Sequence, residues 1–455
     1  MKDIVRAVDA HRQKILDAER YIWAHPETGY KEFETSKYLA EQFEALGYKL
    51  TYADGITGFY TVVDTGREGP TVLVLGELDS IICPAHKEAD PETGAVHSCG
   101  HNAQCAALLG VAAALTDKAV LDKMSGKIML CAVPAEELLE IGYRSKLKAE
   151  GKIKYFGGKS EFLSRGYFDG VDIALMVHTA KNFTVRLGSV GCIAKRMIYK
   201  GVAAHAGGSP WAGKNALYAA TTGISAANAV RETFKDTDLI RFHPIITHGG
   251  DIVNAIPEEV ELESYIRGRT FEAMETANAR VNQALVGAAY SLGTNIEIID
   301  MPGYSPLVND YNMCLLSKEA IEELIPDVKY EIEMEFSTGS TDMGDLSSIM
   351  PVVHPYAAGG DGRSHGSDYQ VADPELACVM SAKWQVLMVK KLLENGAERA
   401  KSIIRDFKPL FPSAKAFLDY QDSINTSGDR IVYHEDGTAT LKGAIPRASE
   451  GEEKV

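Results

Sequence analysis

The segment TVLVLGELDS, Thr71–Ser80, is an apolar run that leads directly into two acids. Two later runs follow the same pattern: KIMLCAV, Lys127–Val133, leads into PAEE, and IALMV, Ile173–Val177, leads into HTA. Short, nearly continuous apolar runs are typical of buried strands in a parallel sheet, and here they alternate with helical patterns. The sequence therefore predicts an α/β domain with a mainly parallel sheet.

Polar side chains follow each of these predicted strands: Asp79, then Glu136 with Glu137, then His178. Between the first two strands, HSCGH adds Cys99 and His101 at the start of an Ala-rich helix. Ligands of open α/β sheets bind beyond the carboxyl ends of the strands. We therefore expect these side chains to meet at one edge of the sheet.

Thiolate, imidazole and carboxylate together favour a divalent transition metal. Because Cys99 and His101 are two residues apart, an extended segment would point both to one side. The alternative for this pair is a buried cysteine beside a hydrogen-bonded histidine. For Glu136 and Glu137 the alternative is a solvated helix start. Adjacent carboxylates at an apolar strand end are costly without a positive partner, which favours a metal, with one acid left as a base.

Other histidines in the sequence are further candidates for ligands in this cluster. His365, in the polar loop GRSHGSDY, is preferred as a ligand over His354 in VVHPY. His97 is also close to this cluster and is expected to lie behind the ligands.

The order of predicted strands and helices changes after residue 190. Successive strand and helix patterns over residues 191–303 predict a smaller α+β domain inserted between two parts of the first domain, 1–190 and 304–400. In this inserted domain His205, Asn254 and Arg267 are candidates for binding an oxyanion and a substrate carboxylate, although each alone is more often structural. Residues 401–455 are expected to be a peripheral extension with a frayed end, RASEGEEKV.

Composition limits the kinds of partner. A formal net charge of -16 disfavours nucleic acid and anionic membranes. Seven scattered cysteines, a charged amphipathic start and the lack of a long apolar run predict a cytoplasmic protein without a membrane span. A dinucleotide enzyme is disfavoured because no Gly-x-Gly-x-x-Gly turn follows the first strand.

Taken together, the motifs resemble the aminoacylase and glutamate carboxypeptidase family of dinuclear metallopeptidases. The likeness is to its bridging-cysteine amidohydrolase branch, which includes one of the subunits of aminobenzoyl-glutamate hydrolase and β-alanyl-lysine dipeptidase-like proteins. It covers about residues 10 to 395 and is carried, in family order, by LGELDS, HSCGHNAQCAALLGVAAAL, VPAEE, GVAAHAGGSP, NAIPEEVELESYIR, GSTDMGDLS and RSHGSDY.

The resemblance implies a metal-dependent amidohydrolase that acts on N-acyl or N-aroyl amino acids or on small dipeptides. It implies two divalent ions, Mn or Zn, held by five residues: Cys99, His101, Glu137, His178 and His365. Glu136 would be the general acid/base, and Asp79 would orient the metal site. His205 would polarise the scissile carbonyl, while Asn254 and Arg267 would bind the substrate.

The resemblance also implies that the inserted domain is a lid or dimerisation domain. In dimeric relatives the counterpart of His205 reaches across from the partner subunit, so a homodimer, or pairing with a related subunit, is expected. One departure is Glu77, which stands where classical members of the family have a histidine ligand.

Two other functions stay open. The chain could be a catalytically silent binding or partner subunit with the same fold, although such a subunit has no need for Glu136. It could also be a cysteine hydrolase that uses Cys99 with His101 or His97. That enzyme would be inactivated by thiol alkylation and indifferent to chelators.

Overall fold

The computed structural model describes residues 1–442, which form two compact units. The first unit comprises Met1–Ser189, Leu307–Ser337 and Thr341–Leu418. The second comprises Val190–Pro306, Thr338–Ser340 and the described residues from Asp419 onward. The segment RASEGEEKV lies outside the described residues.

The α-helices of the described chain are α1 (Lys2–Asp9), α2 (Arg12–Trp23), α3 (Phe33–Ala45), α4 (His101–Leu115), α5 (Lys118–Leu121), α6 (Ile141–Ala149), α7 (Gly158–Ser164), α8 (Ala216–Arg231), α9 (Phe271–Ser291), α10 (Tyr311–Leu324), α11 (Met343–Ser347), α12 (Ser381–Leu393), α13 (Glu398–Asp406) and α14 (Ala414–Ile424).

The strands are β1 (Thr51–Tyr52), β2 (Phe59–Asp64), β3 (Thr71–Glu77), β4 (Ile81–Ile82), β5 (Ala95–Val96), β6 (Lys127–Val133), β7 (Ile173–Leu175), β8 (His178–Thr179), β9 (Thr184–Ser189), β10 (Gly191–Lys200), β11 (Ala204–His205), β12 (Arg241–Phe242), β13 (Ile245–His248), β14 (Ala255–Ile256), β15 (Glu259–Gly268), β16 (Asn295–Pro302), β17 (Leu307–Val308), β18 (Glu331–Ser337), β19 (Val352–Val353), β20 (Tyr356–Ala357), β21 (Gly360–Asp361), β22 (Gln370–Val371), β23 (Ile431–Tyr433) and β24 (Ala439–Leu441).

The main sheet of the first unit has six strands in the order β1-β2-β6-β3-β7-β19. Strands β6, β3, β7 and β19 run parallel, while β2 and β1 extend the sheet in antiparallel pairing. The three apolar runs noted in the sequence are thus the neighbouring strands β6, β3 and β7. The predicted α/β fold with a mainly parallel sheet is confirmed.

Helix α4 forms the centre of the first unit's core, and all of its residues are buried. Its small side chains let neighbouring helices approach closely. A Cβ at Gly110 would lie 2.7 Å from Ala382 on α12 and 2.8 Å from Ile15 on α2. Just before the helix, Gly100 has φ 87°, a left-handed conformation that favours glycine. This turn brings Cys99 and His101 to the carboxyl end of β3.

The second unit contains an antiparallel sheet in the order β12-β15-β10-β16, and β13 also pairs with β15. Helices α8 and α9 pack against it over an apolar core. The sequence patterns for β10, β13, β15, α8 and α9 are found as strands and helices. Strand β16 was not predicted, although NIEIIDMP alternates as a half-buried strand does.

The described chain after residue 400 packs against the rest of the protein, whereas a peripheral extension was expected. Helix α14 buries Phe417 fully, and Ile431 on β23 is 2% exposed. The amides of Asp300 and Arg430 donate to the carbonyls of Thr426 and Ile296, which ties this segment to β16. Within residues 1–442, none of the helices combines the length and apolarity needed to cross a bilayer.

Candidate metal centre

The polar residues predicted to meet do meet at the carboxyl end of the main sheet. Asp79 follows β3, Glu136 and Glu137 follow β6, and His178 lies just after β7. Cys99 precedes α4, and a loop between β21 and β22 brings His365 to the same place. Potential ligand atoms of these residues form two groups of three that share the sulfur of Cys99.

The first group, here called the deep triad, consists of Cys99, His101 and His178, whose ligand atoms lie within 4.8 Å of one another. The Sγ of Cys99 is 3.4 Å from Nε2 of His178. The Nδ1 of His101 donates to the carbonyl of Asp79 at 2.9 Å, and that of His178 donates to the carbonyl of Thr179 at 2.9 Å. Both imidazoles therefore present Nε2 to the centre.

The second group, here called the outer triad, consists of Cys99, Glu137 and His365. The Nε2 of His365 lies 3.4 Å from the Cys99 sulfur and 2.9 Å from Oε1 of Glu137. The His365 side chain is 51% exposed, whereas Glu137 is 9% exposed, so this triad forms the solvent side of the centre.

Asp79 links the two triads from behind. Its carboxylate Oδ2 accepts a hydrogen bond from the amide of Glu137 at 2.8 Å. Its main-chain carbonyl orients His101, as described above. Asp79 is completely buried, and its two contacts hold the Glu137 main chain and the His101 ring in position.

Glu136 and Glu137 lie in a loop, not at a solvated helix start. They are 6% and 7% exposed, and α6 begins only at Ile141. Burial, followed by the charges of Glu77 and Glu137, raises the pKa of Glu136 well above its ordinary value. Burial and the Cys99 thiolate raise the pKa of Glu137 to about 7. Cations near this loop would relieve both effects.

The charge of the cluster is set by Cys99 and its histidine neighbours. Burial alone would raise the pKa of the Cys99 thiol, but His101 and His178 hold it well below its ordinary value. Hydrogen bonds to Cys99 and Glu137 raise the pKa of His365 to about 11. The thiolate is the form of cysteine that binds metals.

Glu77 and Lys159 form a feature that sequence patterns did not reveal. Lys159 Nζ lies 2.6 Å from Oε1 of Glu77 and also contacts the Asp342 carboxylate, all three side chains being fully buried. Oε2 of Glu77 lies 3.2 Å from Nε2 of His101. Glu77 is thus neutralised by an ammonium group at the place where a histidine ligand was expected. Its partners are distant in sequence, so local patterns carried no sign of them.

The donor set fits a pair of divalent cations. Buried donor atoms crowd together here: Nε2 of His101 lies 3.2 Å from Oε2 of Glu77, and Oε1 of Glu137 lies 2.9 Å from Nε2 of His365. The Cys99 thiolate and the Glu137 carboxylate, buried in one cluster, are costly to hold together without cations. One thiolate, three imidazoles and a carboxylate are also the groups that zinc-like ions bind.

The two competing histidines lie behind the triads. His354 is buried, its Nδ1 is 3.1 Å from the carbonyl of Met176, and its ring is 5.7 Å from that of His178. His97 is fully buried, and burial lowers its pKa to about 3. Neither belongs to a triad.

The three candidates of the second unit do not form a single cluster. His205 on β11 pairs with β14, and the amide of Ala206 donates to the carbonyl of Asn254 at 2.9 Å, so these two candidates are neighbours. Nδ1 of His205 accepts from the amides of Gly207 and Gly208, which leaves Nε2 as the proton-bearing atom. Arg267 lies on β15, where Nη1 donates to Ser340 Oγ at 2.6 Å.

The sequence model of Peptidase family M20/M25/M40 matches residues 73–385 of this chain. The match covers more than half of the chain and includes every residue of both triads. The Xaa-Arg dipeptidase of Mus musculus is 27% identical over 379 residues, which cover 80% of this chain and 81% of that protein. One subunit of the p-aminobenzoyl-glutamate hydrolase of Escherichia coli (strain K12) is 30% identical over 321 residues, which cover 65% of this chain and 60% of that protein.

A solved structure shares the fold. It belongs to a Bacillus subtilis protein described as a dinuclear metal binding peptidase from the M20 family. The TM-score is 0.63 at 18% identity, and the alignment covers 85% of this chain and 99% of the other.

Proposed function

This chain belongs to peptidase family M20/M25/M40, and from that premise we propose that it is a two-metal amidohydrolase of N-acyl or N-aroyl amino acids or small dipeptides. Its membership makes it a hydrolase of the peptidase class. The observation that carries the proposal is the pair of triads that share the Cys99 sulfur. The donors come from four separate segments of the chain, one of which supplies both Cys99 and His101.

The proposed ligands are Cys99, shared by both triads, with His101 and His178 on one side and Glu137 and His365 on the other. Divalent cations held there would supply positive charge to polarise a carbonyl group and to activate water. Thiolate and imidazole suit zinc by softness, while manganese is the other candidate.

The chain's own groups supply the proton transfers. Glu136 is buried with a carboxylate oxygen within 4.8 Å of potential ligand atoms of His101 and Glu77, and we assign it as the base that takes a proton from water and returns it to the leaving amine. Its raised pKa lets the carboxyl hold that proton during the step. Asp79 keeps Glu137 and His101 in place.

The second unit would bind the substrate. The proton on Nε2 of His205 can be donated to the oxygen of a scissile carbonyl, where negative charge develops. Asn254 and Arg267 offer an amide and a guanidinium for a substrate carboxylate. Relatives named for Xaa-Arg dipeptides and p-aminobenzoyl-glutamate suggest that the substrate is an amino acid acylated at nitrogen.

We also propose a homodimer formed through the second unit. Strand β13 exposes Ile245 and Ile246, and Trp211 and Tyr218 of the same unit are 82% and 65% exposed. A bare apolar edge strand is a common site for pairing with another chain. Sedimentation of the purified chain tests this, and a monomer would favour pairing with a related but different chain. A cytoplasmic location is consistent with seven cysteines that form no disulfide.

The decisive experiment is metal content per chain after purification without chelator and after reloading with Zn²⁺ or Mn²⁺. We expect about two equivalents, both lost or weakened in Cys99→Ala and retained in the control Cys314→Ala, another buried thiol. Activity on acyl amino acids and dipeptides should follow the metal. Lack of metal after reloading would favour a silent subunit, and inactivation by alkylation without chelator sensitivity would favour a cysteine hydrolase.

A further inference from the structure

A buried arginine contacts the loop that carries Glu136 and Glu137. Arg144 lies on α6, and only 1% of it is exposed. Its Nη2 donates a hydrogen bond to the main-chain carbonyl of Glu137, and its Nη1 donates to the carbonyl of Phe156 at 2.7 Å. Both acceptors are neutral. Burying a cation against neutral acceptors is unfavourable, so packing alone does not account for the position of Arg144.

The chain leaves room for this guanidinium at Gly29. A Cβ at that position would lie 2.3 Å from Nη2 of Arg144 and 2.9 Å from Cα of Ala135. Both distances are too short for any side chain. The ring of Tyr30 lies under the guanidinium, 5.6 Å from its Cζ. The site is therefore built to hold Arg144 against the loop.

The loop needs such support because its backbone is strained. Ala135 and Glu140, which bracket the acids, have φ of 57° and 50°. A left-handed conformation is unfavourable for a non-glycine residue because its Cβ comes too close to the following carbonyl oxygen. Glu137 itself is held from both sides: its amide donates to Asp79, and its carbonyl accepts from Arg144.

We propose that Arg144 is a positioning residue for the outer triad, where it fixes the Glu137 carboxylate against Cys99 and His365. This inference rests on the proposed function. The deep triad is anchored differently, because His101 and His178 are oriented by the carbonyls of Asp79 and Thr179. Loss of Arg144 should therefore weaken one metal position and spare the other.

The test is a Zn²⁺ titration of the full chain, with bound metal counted after equilibrium dialysis at buffered free Zn²⁺. Arg144→Met removes the donors and keeps most of the length of the side chain. We expect the first equivalent to bind as in the wild type and the second to bind about 10–100-fold more weakly, the usual effect of losing a residue that orients a ligand. Arg165→Met is the matched control. Arg165 donates to the carbonyls of Asp54 and Lys152 and pairs with the carboxylate of Glu161 at 2.7 Å, away from the Glu137 carbonyl, and we expect its variant to keep both affinities.

Two further variants show whether a loss of metal affinity in Arg144→Met comes from misfolding. Arg144→Lys retains the charge with a shorter reach and should give an intermediate affinity for the second equivalent. Gly29→Ala places a methyl group against both the guanidinium and Ala135 without deleting Arg144, and it should also weaken only that equivalent. Wild-type affinity for both equivalents in these variants, or equal loss of both, would overturn the proposal. If the wild-type chain itself binds no metal, the proposed function fails instead.

Discussion

The ammonium of Lys159 lies 2.6 Å from the carboxylate of Glu77, and neither group is accessible to solvent. The same ammonium contacts Asp342. Lys159→Met would leave two buried carboxylates without their cation, a change that typically costs about 3–5 kcal/mol. We expect denaturant unfolding to show a loss of this size.

Lys391 provides the comparison for this measurement. It also pairs with two carboxylates, Glu319 and Glu323, but these are 49% and 39% exposed. Surface pairs contribute about 0–1 kcal/mol, so Lys391→Met should change the free energy of unfolding little. Equal losses in the two variants would show that the burial of Lys159 does not determine its contribution.

Glu136→Gln tests the proposed base. The amide is close in size to the carboxyl but cannot take a proton, so we expect kcat to fall by about 10²–10⁴-fold. Glu136 belongs to neither of the two Cys99 triads, but its carboxylate forms a third group with Glu77 and His101, whose potential ligand atoms lie within 4.8 Å of one another. Because the amide keeps a carbonyl oxygen at this place, we expect metal content to stay at the wild-type value. Turnover near that of the wild type would assign the base to another group.

His205→Ala tests the proposed oxyanion donor in the second unit. Loss of one such donor typically lowers kcat by about 10²–10³-fold. We expect that loss without a change in bound metal. The control is His243→Ala, which removes another exposed histidine of the same unit and should leave kcat within a few-fold of wild type. A similar kcat in both variants would remove His205 from the mechanism.

The buried carboxyl of Glu19 should make the free energy of unfolding depend on pH. Burial raises the pKa of this carboxyl to about 7, although Arg20 and a hydrogen bond from Asn102 oppose the shift. The folded chain therefore binds a proton more tightly than the unfolded chain. Its contribution to stability is present below about pH 4.5 and is lost as the pH rises towards 7.

Glu19→Gln removes this ionisation and keeps an acceptor for Asn102. The variant should be more stable than the wild type at pH 8 by up to about 3 kcal/mol, with the difference vanishing near pH 4. Denaturant unfolding of the metal-free protein at pH 8 and at pH 4 measures this difference in the free energy of unfolding. Glu41→Gln, at an exposed position, should show no such difference. A wild type that is more stable than Glu19→Gln at pH 8 would contradict the prediction.

Local sequence patterns were sufficient to predict the central strands of the main sheet. They were also sufficient to predict that the polar residues after these strands lie close together. Strands β3, β6 and β7 are buried on both faces, so they appear as continuous apolar runs, and parallel pairing aligns their polar ends. The proposed ligand positions followed from these strand ends together with the family motifs. His365 was preferred because it lies in a polar loop, and the resemblance then implied its role as a ligand; the loop has no periodicity that could have placed it.

The supporting contacts could not be predicted in the same way. Lys159 meets Glu77 across 82 residues and Asp342 across 183 residues. Such pairs depend on tertiary packing and leave no local periodicity. Arg144 lies close to Glu137 in sequence, but its role depends on the left-handed residues of the loop and on the space at Gly29. A basic residue on a short helix is otherwise expected to be solvated.

The unequal depth of the two triads sets an order for metal exchange. His365 is half exposed, whereas Cys99 and His101 are buried. The outer triad contains the exposed donor His365, whereas the donors of the deep triad are buried or of intermediate exposure, so we expect an ion at the outer donors to exchange faster with solvent. Chelation should therefore be biphasic, with the outer ion lost quickly and the inner ion retained. A protein prepared in cells could then carry a mixed pair, its inner ion fixed during folding and its outer ion set by the surrounding medium.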